Sequence, residues 1–69
     1  MIRLKSIRED NDLTQEKCAK IAGISKKSYE RYENELRPVP SDVVIAFAKH
    51  YNISADYILG LTKEIKKLK

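Results

Sequence analysis

A short segment, residues 25–34, carries most of the side chains in this sequence that could do chemistry. On a helical wheel of about 100° per residue, its long polar side chains form one continuous arc. Lys and Arg side chains only donate hydrogen bonds, and guanine presents two acceptors on its major-groove edge. The pattern therefore predicts a helix that enters the major groove of double-stranded DNA. The residues in the arc are Lys26, Lys27, Glu30, Arg31 and Asn34.

Capping signals around this segment predict a tight turn between two helices. Thr14 can cap a first helix, and Gly23 can supply the left-handed position that ends it. Ser25, two residues later, can cap the second helix. This spacing is typical of a helix-turn-helix motif. Tyr29 and Tyr32 fall opposite the polar arc, so we expect both in the core.

The composition argues against an enzyme. The chain has one His, His50, and one Cys, Cys18, with no Gly-rich phosphate loop and no acid and base at a spacing that suggests a cleft. Cys18 falls on the buried side of the first helix of the motif, so we expect a core residue. No His/Cys cluster suggests a metal site. We therefore expect no catalysis, no cofactor and no small-molecule ligand.

The formal charge of +4 is concentrated near the C-terminus. Residues 1–60 hold ten Lys or Arg against nine Asp or Glu, whereas residues 61–69 hold four against one. Bulk charge alone is thus weak support for nucleic-acid binding, and the placement of basic residues matters more. A charged N-terminal stretch and the lack of a long apolar run predict a soluble, cytoplasmic protein without a membrane segment.

Capping residues and apolar spacing divide the remaining sequence into further helices. We expect a first helix over residues 2–10, a fourth capped by Ser41 and ended by Asn52, and a fifth capped by Ser54 and ended by Gly60. No stretch alternates as a strand would. The predicted fold is all-α, a compact five-helix domain over residues 1–61 followed by a basic, short helical tail over residues 62–69.

The sequence also resembles a known family. The string LTQEKCAKIAGISKKSYERYEN, a Pro-containing loop and the string ISADYILG together resemble the Cro/C1-type, or xenobiotic-response-element, helix-turn-helix family. The resemblance covers about residues 4–61. It implies a five-helix repressor-like domain that binds operator DNA, mostly as a dimer, and regulates transcription.

The resemblance also implies roles for individual residues. Three side chains match the positions that contact base edges: Lys26, Lys27 and Arg31. Four match positions that contact the DNA backbone: Gln15, Ser25, Asn34 and Arg37. Arg8 and Glu33 match a pair that forms a salt bridge between the first and third helices in related domains. The family often has Gly at the end of the third helix, and here Asn34 is more suited than Glu35 to the left-handed conformation.

The function and the dimer interface each admit an alternative. A protein-interaction module, such as an antitoxin or adaptor on the same scaffold, is the main alternative, although its binding face should be apolar at the centre. RNA binding is not indicated, because the sequence offers neither exposed aromatic residues on which bases could stack nor a sheet to hold them. The expected homodimer forms through the C-terminal part of the chain, by helix five or by a tail stripe of Leu61, Ile65 and Leu68.

Overall fold

The computed structural model describes residues 2–63. Within that range the chain is all-helical and contains no strand, which confirms the predicted fold class. The five helices are α1 (Leu4–Asp10), α2 (Gln15–Ala22), α3 (Lys26–Glu33), α4 (Ser41–Tyr51) and α5 (Ala55–Ile58).

The first helix begins at Leu4, two residues later than the sequence predicted. The two preceding residues are held by partners distant in sequence. The backbone N–H of Arg3 donates to the carbonyl of Ile58 at 2.8 Å, and that of Ile2 donates to Glu35 Oε1 at 3.2 Å. These bonds fix the start of the chain between the end of α3 and α5.

Three of the four predicted helix caps are confirmed. The side chains of Thr14, Ser25 and Ser54 each accept a hydrogen bond from the backbone N–H three residues later. The prediction for Ser41 is wrong: it is the first residue of α4, and Pro40 is the N-cap. The helix begins one residue earlier because the Pro40 carbonyl already accepts bonds from the N–H groups of residues 43 and 44.

Left-handed residues follow the helices. Gly23 (φ 68°), Asn52 (φ 56°) and Gly60 (φ 77°) occupy this conformation at the positions that the sequence indicated. Glycine suits it because no Cβ opposes a positive φ, and Asn tolerates it better than most residues. The helix ends in the motif and around α5 are therefore set by local sequence.

The end of α3 differs from the prediction. Asn34 keeps a negative φ of −87°, and Glu35 adopts the left-handed conformation with φ 58°. The Leu36 N–H donates to the Arg31 carbonyl at 2.8 Å and the Glu35 N–H to the Tyr32 carbonyl at 3.1 Å. This is the Schellman pattern, which requires positive φ one residue beyond Asn34. The bond from Ile2 to the Glu35 carboxylate helps to hold that residue there.

The core contains residues from all five helices, with Tyr29, Phe47, Ile58 and Cys18 as its largest fully buried side chains. The Tyr29 and Phe47 rings meet edge to face, with centroids 5.9 Å apart. The core positions predicted for Tyr29 and Cys18 are confirmed, and Tyr32 is half-buried against the core. The core thus packs against the face of α3 that carries Tyr29 and Tyr32, and the polar face of this helix points to solvent.

The C-terminal tail lies largely beyond the described residues. Of the predicted apolar stripe, Leu61 is 74% exposed, whereas Ile65 and Leu68 lie outside the described range. The division into a domain of residues 1–61 and a tail of residues 62–69 therefore stays a prediction.

Candidate nucleic-acid interface

The N-terminal half of α3 presents two exposed lysines. Lys26 Nζ lies 3.8 Å from Glu30 Oε1, one helical turn away, and the two side chains are 57% and 41% exposed. An exposed pair of this length contributes little to stability, about 0.3 to 0.5 kcal/mol within a helix. Lys26 can therefore exchange its partner for another anion at low cost. Lys27 is exposed beside it.

Arg31 extends the basic surface by one turn. Its side chain is partly exposed, and it lies four residues after Lys27 on the same face. Three cations against the single carboxylate of Glu30 give this face a net charge of +2. Glu33 does not reduce it, because the Glu33 side chain is only 2% exposed and is paired internally.

Glu33 joins three helices through its two carboxylate oxygens. Arg8 Nε and Nη2 on α1 donate to Oε1 at 3.1 and 3.0 Å. Gln15 Nε2 at the start of α2 donates to Oε2 at 2.8 Å. The hydrogen bonds to Glu33, together with its negative charge, raise the pKa of Arg8 above its usual value. The predicted salt bridge between Arg8 and Glu33 is thus confirmed.

Arg8 also fixes the turn before α2. Its Nη1 donates to the carbonyl of Leu13 at 3.1 Å, and Leu13 immediately precedes the capping residue Thr14. The same guanidinium therefore holds α3 through Glu33 and holds the start of α2 through the turn. This arrangement fixes the position of the α2 N-terminus relative to the basic face of α3.

An open cleft of about 570 Å³ lies where the N-termini of α2 and α3 approach each other. The N-terminus of a helix carries a partial positive charge and favours anions. The side chains of Arg8 and Lys26 add two cations, Gln15 adds an amide, and Glu16 adds one carboxylate, so the lining side chains carry a net charge of +1. The cleft thus has the donors that a phosphate group requires. Its lining residues are Arg8, Leu13, Thr14, Gln15, Glu16 and Lys26.

The remaining predicted backbone-contact residues lie around α3. Ser25 is exposed, but its hydroxyl is engaged: Oγ accepts from the Ser28 N–H at 3.1 Å and donates to Ser28 Oγ at 3.0 Å. A phosphate bond from Ser25 requires the second of these bonds to be exchanged. Asn34 and Arg37 are exposed at and after the C-terminal end of α3. The seven predicted site residues are therefore on α3, its flanks and the start of α2.

Sequence reasoning missed two features of this surface. It did not anticipate the bond between Gln15 and Glu33, and it did not include Arg8 among the residues that line the cleft. Gln15 and Glu33 are 18 residues apart, and no local pattern signals their contact. Only the packing of α1 and α2 against α3 brings the three side chains together.

A polar, basic helix presented by a capped turn defines a helix-turn-helix domain. The helix-turn-helix family model matches residues 4–58, which is most of the chain. The chain belongs to the Cro/C1-type helix-turn-helix family.

Three curated relatives are similar over nearly the whole chain. The uncharacterized HTH-type transcriptional regulator YobD of Bacillus subtilis is 44% identical over 90% of this chain and 55% of its own length. Antitoxin PezA of Streptococcus pneumoniae is 38% identical over 87% of this chain and 38% of its own length. The HTH-type transcriptional regulator ImmR of Bacillus subtilis is 32% identical over 94% of this chain and 51% of its own length.

The chain thus spans about half, or less, of the length of these relatives. No solved structure matches it significantly. Among residues 2–63, no helix has both the length and the apolar character needed to cross a bilayer.

Proposed function

We propose that this chain binds double-stranded DNA sequence-specifically and regulates transcription, by repression, with α3 in the major groove. The observation that carries the proposal is the outward face of α3. This face presents Lys26, Lys27 and Arg31, because a capped turn precedes the helix and its tyrosine side packs on the core. Family membership and two relatives named as transcriptional regulators support the same function. Repression by occupancy of an operator requires no contact other than the one with DNA.

The basic side chains divide into two roles. Lys26, Lys27 and Arg31 contact base edges, with Arg31 suited to the O6 and N7 acceptors of a guanine. The other four residues hold phosphates, which fix the register of the domain on the duplex without carrying sequence information. These are Gln15, Ser25, Asn34 and Arg37.

The cleft beside α2 supports the phosphate role of Gln15. A phosphate there meets the α2 N-terminus and the cationic side chains of Arg8 and Lys26. Glu33 neutralises much of the charge of Arg8, whereas the pair of Lys26 with Glu30 is long and exposed. Lys26 therefore supplies most of the attraction, against the repulsion of Glu16 in the same cleft. The exposed Arg37 holds a second phosphate beyond the end of α3.

A homodimer is the second part of the proposal. One domain contacts few base pairs, and a twofold dimer places two recognition helices one DNA turn, about 34 Å, apart. Leu59 directly follows α5, and together with Leu36, in the loop after α3, it lines a mainly apolar cavity of about 320 Å³; the two leucines are 38% and 73% exposed. This surface at the end of helix five and the tail stripe are the two candidate interfaces.

Two double variants distinguish the candidate interfaces. If the cavity is the interface, Leu36→Ser/Leu59→Ser converts the protein to a monomer, whereas Ile65→Ser/Leu68→Ser leaves it dimeric. The opposite result assigns the interface to the tail. The oligomeric state is measured by sedimentation with and without a palindromic duplex, and a wild-type chain that stays monomeric on that duplex would contradict the dimer.

A protein-interaction role is the alternative function, and one relative is named an antitoxin. The α3 face argues against its use as a protein-docking surface. Interface centres are depleted in Lys and Glu, and the middle of this face holds Lys27 and Glu30. A protein partner on this scaffold would therefore bind elsewhere, and DNA binding by α3 would be retained.

Two arginine variants test the division of roles. Arg31→Ala should weaken binding to the preferred duplex by about 1 to 3 kcal/mol and relax the preference at one base pair. Arg37→Ala, the matched control, should weaken all sequences alike and reduce the salt slope by about one. Both are measured on a panel of single-base duplex variants. If Arg31→Ala weakened every duplex equally, α3 would not be reading bases through Arg31.

A further inference from the structure

We propose that Glu33 is a positioning residue for DNA binding: through Oε2 it orients the carboxamide of Gln15 toward a phosphate at the start of α2. This inference rests on the proposed function, because it concerns the same DNA surface. It adds a role for a buried carboxylate whose pairing with Arg8 is otherwise structural. A residue of α3 thereby positions the phosphate contact that Gln15 makes at the start of α2.

The two oxygens of Glu33 have separate partners. Oε1 accepts from both Nε and Nη2 of Arg8, and Oε2 accepts from Gln15 Nε2 at 2.8 Å. The ion pair between Arg8 and Glu33 uses only Oε1, so it does not require Gln15. The short bond to Oε2 is therefore additional to the connection between α1 and α3.

A carboxylate fixes the orientation of an amide because it only accepts hydrogen bonds. Glu33 requires the nitrogen end of the Gln15 carboxamide, since a flipped amide would place its oxygen against Oε2. The amide nitrogen carries two N–H groups. One is used by Glu33, and the other is available to an anion in the cleft that Gln15 lines with Arg8 and Lys26.

Preorganisation explains why this bond matters for affinity. A free glutamine side chain loses rotamer freedom when it binds a phosphate, whereas one already held by Glu33 has lost most of that freedom on folding. Gln15 is half-buried, with its amide anchored at 2.8 Å. Removing the carboxylate should therefore weaken the contribution of Gln15 to DNA binding.

A double-mutant cycle on the full chain tests the coupling. Gln15→Met removes the amide and keeps a side chain of similar length. It is measured in the wild type and in an Arg8→Met/Glu33→Leu background, where the ion pair is replaced by apolar side chains that leave no buried charge. Because Arg8 also lines the cleft, Gln15→Met is measured in Lys26→Met as well, which removes a cleft cation and keeps Glu33. We expect Gln15→Met to weaken binding about tenfold in the wild type and in Lys26→Met, as for a hydrogen bond to a charged group, and less than threefold in the replaced background.

Glu16→Gln is the matched control, because Glu16 lines the same cleft and is exposed. It should change affinity by the same factor in the wild type and in the replaced background. Equal factors for Gln15→Met in these two would show that Gln15 acts independently of Glu33, and would overturn the proposal. No effect of Gln15→Met in the wild type would also overturn it.

A measurement on the wild-type chain keeps the proposal testable if the replaced background does not fold. The two side-chain amide protons of Gln15 are followed by NMR while duplex DNA is added. Rotation about the amide C–N bond is slow, so the two protons give separate signals in any state. We expect the proton bonded to Glu33 to exchange slowly with water and to keep its shift when DNA is added, and the other proton to shift. Fast exchange of both protons, or two signals unmoved by DNA, would contradict the positioning role.

These outcomes are distinct from failure of the proposed function. If the wild-type chain binds no duplex, both proposals fail. If the chain binds DNA and Arg31→Ala relaxes its preference while Gln15→Met has no effect, only the positioning role of Glu33 fails.

Discussion

Replacement of Glu33 by glutamine should strongly destabilise the fold. The Glu33 side chain is 2% exposed and accepts three hydrogen bonds. The variant leaves the Arg8 guanidinium without its counter-charge, and it places a new N–H group against donors of either Arg8 or Gln15. Removing one partner of a fully buried pair costs about 3 to 5 kcal/mol. Because Arg8 is 18% exposed and partly solvated, we expect about 2 to 4 kcal/mol here.

The expected loss is large for so short a chain. A domain of 69 residues has a free energy of unfolding of about 3 to 10 kcal/mol. At about 4 to 8 °C per kcal/mol, a loss of about 2 to 4 kcal/mol should lower the melting temperature by about 8 to 32 °C. Urea unfolding and thermal melting followed by circular dichroism measure both quantities.

Two variants serve as controls, one for the loss of a negative charge on α3 and one for the loss of the ion pair itself. Glu30→Gln removes the same charge from the same helix, but its pair with Lys26 is long and exposed, so the loss should stay below about 0.5 kcal/mol. Arg8→Met/Glu33→Leu should be less destabilised than Glu33→Gln, since it leaves no unpaired charge. The free energy of unfolding of Glu33→Gln could instead lie within about 0.5 kcal/mol of the wild-type value, as is typical of surface substitutions. In that case the hydrogen bonds of Glu33 would not stabilise the packing of the three helices.

Three further predictions concern the core and the helix ends. Burial, with the neighbouring Cys18, raises the pKa of Tyr29 and Tyr51 above the usual 10.0, so the unfolded state ionises first and stability should fall as pH rises above 10. At pH 11 each tyrosine should account for about 1 kcal/mol of that loss in urea titrations, and Tyr29→Phe or Tyr51→Phe should remove the contribution of that residue. Gly23→Ala should cost about 1 kcal/mol by thermal melting, because φ is 68° although a Cβ meets nothing within 4 Å; a neutral result would contradict this reason. Ser54→Ala should cost about 1 kcal/mol and Ser41→Ala almost nothing, and equal losses would mean that capping does not distinguish them.

The helix ends that could be predicted from the sequence are those decided within a few residues. Thr14, Ser25 and Ser54 cap because their oxygens reach an N–H three residues later. Gly23 and Asn52 end helices because they tolerate positive φ. The polar and tyrosine sides of α3 follow from helical periodicity alone.

Features that depend on contacts distant in sequence could not be predicted in the same way. Ile2 lies outside α1, where its N–H donates to Glu35, and Glu35 is left-handed where local preference favoured Asn34. The bond between Gln15 and Glu33 exists because α2 and α3 pack together. The salt bridge of Arg8 was predicted only through the family resemblance, because helical periodicity does not indicate which charges become buried.

Selection of bound sequences from random duplex DNA tests the central claim most directly, namely that α3 reads bases. The wild-type chain and a variant with alanine at Lys26, Lys27 and Arg31 are compared in parallel, with folding of both checked by circular dichroism. We expect the wild type to enrich a palindromic motif with guanines in each half-site, and the variant to enrich none. Enrichment of the same motif by both proteins, or of no motif by the wild type, would contradict sequence readout by α3.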